Sequence, residues 1–178
     1  MRWQVHGERF IYQSDWVNLS LVDVEVPGHQ RFDHHVIRMP RPAAGIVIHD
    51  DERGVLLIYR HRFITDTWGW EIPAGKVESG ETPAEAAHRE GLEETGWQPH
   101  GPLTHVTTFH PANGTGDHTF HIYCAPGATH IGDPLDATEA ERVEWVPVDE
   151  TRRLVATNAV RDGLSLCGLS VAFVRGLL

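Results

Sequence analysis

Cysteine is nearly missing from this chain. Cys124 and Cys167 are the only two in 178 residues, and no C-x-x-C occurs. A disulfide framework and a zinc site of the usual spacing are therefore both unsupported. A basic surplus is missing as well. Fifteen Lys and Arg stand against 25 Asp and Glu, for a net charge of -10. Nucleic-acid binding needs a basic surface, so a polyanion is excluded as the main partner. A phosphorylated small molecule is not excluded, because bound metal ions and a few arginines reverse the field locally. No apolar run is long enough to span a bilayer, and MRWQVHGERF lacks the apolar core of a signal peptide. A cytoplasmic protein without a membrane partner is the expectation. Repeats, low-complexity tracts and a domain linker are also missing, so this length implies one domain with a real core. The thirteen histidines are scattered. Their one adjacent pair, His34-His35, reads as strand surface.

What is present is concentrated in residues 75–97, GKVESGETPAEAAHREGLEETGW. Thr82 suits an N-cap, Pro83 the first helical position, and Glu85 completes a T-x-x-E capping box. The helix should run from about Pro83 to Thr95 and stop at a left-handed Gly96. Glu90, Glu93 and Glu94 then share one face, with Arg89 the one cation nearby on this turn. Like charges at this spacing cost a helix about 0.2–0.5 kcal/mol per pair, so neutralising Glu94 should hold or raise stability without metal. Three carboxylates so grouped suit a hard divalent cation, which takes oxygen ligands. A solvated acidic face is the alternative. Gly91 sits in the helix interior, at a cost of about 1 kcal/mol relative to Ala. With Ala84 and Ala87 it forms a small-residue stripe that permits close approach to a sheet.

The flanks are rich in β structure. Arg9–Gln13, Val17–Val26 and Arg31–Met39 read as strands, with Pro27-Gly28 as the turn between the last two. VDVEV alternates like a half-buried strand. Ala43–His49 and Val55–Tyr59 are continuously apolar, as central strands are, and DDERG between them is a hairpin turn. Residues 60–75 cross to the helix. Leu103–Phe109, His118–Cys124 and Arg142–Val146 are further strands. The segments Pro111–Asp117 and Ala125–Ala140 read as loops. Asp149 caps a helix over about Glu150–Ala156. A last amphipathic helix covers about Arg161–Val174, with Leu164, Leu166, Cys167, Val171 and Val174 on its apolar side.

The spacing G-x5-E-x7-R-E-x-x-E-E-x-G, followed by apolar Trp97, fixes seven residues over 22 positions. It resembles the signature of the Nudix hydrolases, departing only at Gly91, where the family usually has an aliphatic residue or Ala. IYRHRF, WGWEIPAG, His110-Pro111 and ERVEWVP are similar to the ADP-ribose pyrophosphatase branch. DWVNL and the stretch to HHVIR resemble its N-terminal β region. The resemblance implies an α+β Nudix fold: an α/β/α sandwich with a mixed sheet, plus an N-terminal antiparallel β region. Within a single domain, residues 1–40 would be that region, 41–150 the core and 151–178 the C-terminal helices.

The resemblance also implies roles. Glu90 and Glu94 would be metal ligands with Glu93 beside them, joined by the Ala74 carbonyl. Mg2+ is the expected ion, with Mn2+ as the alternative. Such ions polarise a phosphoryl oxygen and lower the pKa of a bound water. Arg89 would orient the carboxylates and Glu81 would support the loop. Glu141, two residues before Val143, would be the general base, with Glu139 the alternative. Arg62 would contact the phosphate and ribose, against an ion pair as the plain reading. Trp16 and Arg38 would hold the base, against a core role for the tryptophan. Trp68 and Trp70 read as packing, and Asp117 as an unassigned loop residue. The implied reaction splits ADP-ribose into AMP and ribose 5-phosphate in a homodimer. A nucleotide-sugar pyrophosphatase, for example for GDP-mannose, is the rival within the class. A triphosphate-sanitising enzyme fits less well, since those chains usually lack the β extension. A non-catalytic ligand sensor is the rival from outside the class.

Overall fold

A computed structural model describes residues 1–135 and 140–178. The chain divides into two compact units, Met1–Pro42 with His110–Thr119 and Ala43–Phe109 with Phe120–Leu178. Both cysteines are free thiols.

The first unit is a three-stranded antiparallel sheet in the order β1 (Gln4–Tyr12), β2 (Asn18–Glu25), β3 (Phe32–Arg38). β1 starts earlier than its apolar residues suggest, because its partner β2 supplies hydrogen-bonding positions as far as Glu25. β2 shows the expected alternation, with Ser20, Val22 and Val24 buried on one face. Gly28 takes the turn at φ 82°, where a side chain would be strained. The loop 110–119 belongs to this unit and is tied to β3. Asp117 accepts the Met39 N–H at 2.8 Å, and Ile37 bridges Gly116.

The second unit is built on a seven-stranded sheet. Its main path is β12 (Arg142–Val146), β5 (Gly54–Arg62), β4 (Ala43–Asp50), β10 (Phe120–Ala125) and β9 (Thr104–Phe109). β6 (Thr67–Glu71) pairs with β5, and β7 (Ala74–Lys76) with β4. The β4–β10 pair is parallel and the others antiparallel, so the sheet is mixed. β8 (Trp97–Pro99) and β11 (Ala128–His130) form a separate pair. The sequence reading misses β6, β7, β8 and β11. They are short, interrupted by Gly or Pro, or polar, and carry no period of their own; neighbours across the ladder recruit them.

Because β4 and β5 alternate, they feed two cores. Ile46, Ile48 and Leu56 face α1 (Pro83–Thr95) through Ala86 and Ala87. Val47, Val55 and Leu57 face α2 (Val148–Ala156) and α3 (Gly163–Val174) through Leu154, Leu164 and Leu169. This is an α/β/α arrangement within an α+β fold.

Two helix expectations need correction. Asp149 does not cap α2; it lies in the first turn, and Pro147 holds the N-cap position without a side-chain cap. The charge of Asp149 still complements the helix dipole. α3 begins at Gly163 because the Asp162 carboxylate accepts the Ser165 N–H and hydroxyl at 2.8 and 2.7 Å. Its buried face is Leu164, Ser165, Gly168, Leu169 and Ala172, whereas Val174 is 87% exposed. Small residues turn inward here so that the helix backbone can approach the sheet. A Cβ on Gly168 would stand 3.1 Å from the Ile122 side chain.

Candidate active site

The site grows from the ends of α1. Thr82 and Glu85 close the expected capping box: Glu85 N–H donates to Thr82 Oγ1 at 3.3 Å, and Thr82 N–H donates to Glu85 at 2.8 Å. Gly96 ends the helix at φ 73°, and an added Cβ would collide with the Gly132 carbonyl. Gly91 has the role expected of it. A Cβ there would lie 3.0 Å from Pro99 and 3.1 Å from Ile46, so the helix rides directly on β4.

Arg89 gathers the acidic face. It donates to Glu81 at 2.9 Å, to Glu90 at 2.8 Å, to Glu93 at 2.9 Å and to the Lys76 carbonyl at 3.0 Å. Its hydrogen bond to Glu81 holds that carboxyl below the usual range, and the same carboxylates push Arg89 further up. Glu81 also accepts the Glu78 N–H at 2.9 Å, which fixes the loop before the helix. Through these bonds Arg89 links the loop carboxylate of Glu81 to two carboxylates of α1.

Arg89 is the cation on its own turn of the helix, but a second one reaches the carboxylates from the sheet. Arg60, at the far end of β5, donates to Glu94 at 2.9 Å. Glu94 is 3% exposed and its other oxygen accepts the Ala74 N–H at 2.8 Å. Removing the Glu94 charge therefore strands a guanidinium instead of relieving repulsion, and stability in the metal-free state should fall. The signal for Arg60 lay in strand parity: it follows Leu56 and Ile58 on the face turned to α1.

Backbone and carboxylates interlock on β7. A Cβ on Gly75 would meet the Glu90 carboxylate, which would have to move aside. Glu90 and Glu94 thus flank Ala74-Gly75 with oxygen donors alone, a set that fits a hard divalent cation. The guanidinium groups of Arg60 and Arg89 hold these carboxylates, and among the described residues no three His, Cys, Asp or Glu side chains yet converge on one point.

The other expected residues divide. Arg62 forks onto buried Glu71, with Nε at 3.0 Å and Nη2 at 2.6 Å, which raises its pKa. The plain ion-pair reading thus holds, but with a buried partner in place of a surface one. Arg60, Arg62 and Arg161 line a cavity of about 480 Å³ rimmed by Phe63 and Ile64. Glu141 is exposed, and its N–H bonds the Tyr59 carbonyl at 2.9 Å, which places it one residue along the ladder from Arg60. Glu139 lies outside the described residues. Trp70 packs against Tyr59, as expected. Trp68 stacks on the same ring at 5.5 Å yet is 48% exposed, so it is not fully a packing residue. Trp16 and Arg38 belong to the N-terminal unit. Trp16 is 71% exposed, which removes its core reading. Arg38 is already held by Glu8 at 2.9 Å and Asp117 at 3.2 Å.

Comparison with known proteins agrees with this geometry. Residues 39–165 match the NUDIX domain. A CMP-5'-(N-acetyl-N-hydroxy-3-aminopropyl)phosphonate hydrolase of Streptomyces rubellomurinus is 41% identical over 99% of this chain and 85% of that protein. An ADP-ribose pyrophosphatase of Bacillus subtilis is 29% identical over 85% of this chain and 82% of its own. The solved structure of an ADP compounds hydrolase superposes with a TM-score of 0.82, at 20% identity, over 99% of this chain and 96% of that one. The carboxylates gathered by Arg89, the helix that carries them and these likenesses lead to one conclusion: the chain belongs to the NUDIX family and is a Nudix hydrolase, similar to proteins named ADP-ribose pyrophosphatase.

Proposed function

We propose that the protein hydrolyses the P–O–P bond of a nucleoside 5'-phosphate joined to a second phosphorus group, with ADP-ribose as first substrate and AMP and ribose 5-phosphate as products. The observation that carries this is the acidic face of α1, with Glu90 and Glu93 held by Arg89 and Glu94 held by Arg60 beside Ala74. Nudix hydrolases generally use a divalent metal. Mg2+ is our choice here, with Mn2+ as its substitute, held by Glu90, Glu94 and the Ala74 carbonyl. When bound, the ion supplies charge neutralisation on the phosphoryl oxygens and makes water a better nucleophile. Arg89 keeps Glu90 and Glu93 aimed, so little reorganisation is needed on the way to the transition state. Glu141 accepts the proton of the attacking water. It immediately precedes the strand that neighbours β5 and is not on the helix, so it can serve as a base without competing for the ion.

A second reading keeps the bond and changes its neighbours. The relative from Streptomyces is named for a CMP-linked phosphonate and is alike over nearly the whole chain. A cytidine conjugate with a phosphonate leaving group is therefore the competing substrate. Trp16 and Arg38 are the proposed base-holding pair. A homodimer is proposed to form through the N-terminal sheet, and the cytoplasm is the proposed compartment; no helix of the described residues is long and apolar enough to cross a membrane.

The test is a hydrolysis screen with Mg2+ or Mn2+ over ADP-ribose, NADH, GDP-mannose, UDP-glucose and a CMP-phosphonate conjugate. Products are identified by chromatography and phosphorus NMR. Release of AMP from ADP-ribose at the highest kcat/KM supports the first reading, and CMP release at the highest kcat/KM supports the second. No nucleoside monophosphate from any of them leaves the ligand-sensor alternative.

A further inference from the structure

We infer that Arg60 is a built-in counter-ion of the metal site: it holds Glu94 until a divalent cation arrives, then turns its guanidinium into the neighbouring arginine-lined cavity to receive the substrate's phosphoryl oxygens. The inference rests on the proposed metal role of Glu94.

Three observations carry it. Glu94 is almost fully buried, with one oxygen on the Ala74 N–H and the other on Arg60 at 2.9 Å. A buried carboxylate without a counter-charge is costly, so some cation must face it in every state of the enzyme. Next, Arg60 is poorly satisfied where it stands. Its Nε is buried and has no hydrogen-bond partner. Such an orphan donor favours any rearrangement that gives it an acceptor. Finally, Arg60 also lines the cavity of about 480 Å³ beside Arg62 and Arg161. Arg62 is not available for the same move, because Nε and Nη2 both bond buried Glu71. The two arginines thus differ: one is forked onto a carboxylate with no proposed metal role, the other touches a proposed metal ligand through a single nitrogen.

A divalent ion on Glu94 and a guanidinium at hydrogen-bond distance from the same carboxylate repel each other in a poorly hydrated pocket. The ion displaces Arg60. The planar fork of Arg60 then faces the anion that the metal brings, and guanidinium geometry matches phosphoryl oxygens. Arg60 accordingly opposes metal binding and favours substrate binding. A side chain that only packs would move the two affinities in the same direction or not at all.

The experiment measures Mn2+ affinity without substrate, by electron paramagnetic resonance, and then methylenediphosphonate affinity with saturating Mn2+, by calorimetry. In Arg60→Gln, Mn2+ should bind about tenfold tighter and methylenediphosphonate about tenfold weaker, within the usual range of coupling between sites. Arg60→Met, which keeps the packed stem, is the second neutral variant, and circular dichroism checks that both fold. Arg60→Lys keeps the charge, so its Mn2+ affinity should stay near wild type. Unchanged or weaker Mn2+ binding in the neutral variants overturns the inference, as does equal tightening in Arg60→Lys. Glu94→Gln is the control for the underlying reading. If it binds Mn2+ like wild type, the ligand assignment fails. If it loses Mn2+ while the Arg60 variants are unaltered, only the role of Arg60 falls.

Discussion

β1 and β4 are strands of nearly equal length with opposite surroundings. In β4, Ala44 to Ile48 are buried without a break, because α1 covers one face of the sheet and α3 the other. In β1 every residue is exposed, including Val5 at 67%, Phe10 at 50% and Ile11 at 50%. Apolar content alone does not decide burial; the number of layers above and below a strand does. The core unit therefore holds its carboxylates on rigid, covered elements. The N-terminal sheet ends in an open edge with an apolar surface, the kind of edge that pairs with another chain unless it is blocked. Chemistry should accordingly respond to changes in the core unit, and assembly to changes in β1.

The strongest way to break this contrast is Glu94→Gln. Turnover in saturating Mg2+ should fall by more than about 10²-fold, since even outer partners of metal ligands are worth that much. Unfolding without metal should be easier by about 1–3 kcal/mol, because Arg60 is left without its charge partner. Wild-type turnover would remove Glu94 from the ligands. A rise in apo stability would show that repulsion along the helix outweighs the Arg60 pair.

Glu141→Gln should lower kcat by about 10²–10⁴-fold with little change in KM or Mn2+ affinity. A large loss in Glu139→Gln with near wild-type Glu141→Gln would move the base to Glu139. If neither matters, Glu93 is next to be tested.

Gly75→Ala sharpens the contrast inside the core. The new Cβ must push Glu90 aside, since it would overlap the carboxylate oxygen. Mn2+ affinity should drop by about 10–100-fold while the thermal midpoint changes little. A midpoint that collapses with intact Mn2+ affinity would mean the glycine serves the backbone, not the carboxylate.

On the other side of the comparison, Phe10→Glu with Ile11→Glu should turn a dimer into a monomer by light scattering, with kcat held and KM raised. A wild-type monomer at micromolar concentration would sink the dimer and with it the role of the N-terminal sheet in assembly.

The smallest effects are at the start of α1. Thr82→Ala should cost about 1 kcal/mol in urea unfolding through loss of the cap. Glu81 gives the pH dependence. Arg89 lowers its folded-state pKa below 4.5, so its contribution to stability is present above that value and fades as pH falls through the lowered one. Wild type and Glu81→Gln should therefore differ most near neutrality and converge in acid; parallel curves would mean that Glu81 acts by shape alone.

Residues 75–97 determined by themselves the span of α1, its capping box, its left-handed stop and the shared face of Glu90, Glu93 and Glu94. These are local: caps, spacing and helix periodicity act within a few residues of each other. The central strands and the half-buried alternation of β2 were legible for the same reason. Only the tertiary structure decided which cations meet those carboxylates. Arg60 reaches Glu94 across 34 positions of sequence, and Arg62 turns to Glu71 across nine. Partners of that kind depend on how strands align in the sheet, and no period in the chain records it. The same holds for β6, β7, β8 and β11, which exist because a neighbour pairs with them, and for the inward face of α3. There Gly168 faces the sheet and Val174 faces solvent, because close approach of backbone to sheet outweighed the hydrophobicity of individual side chains.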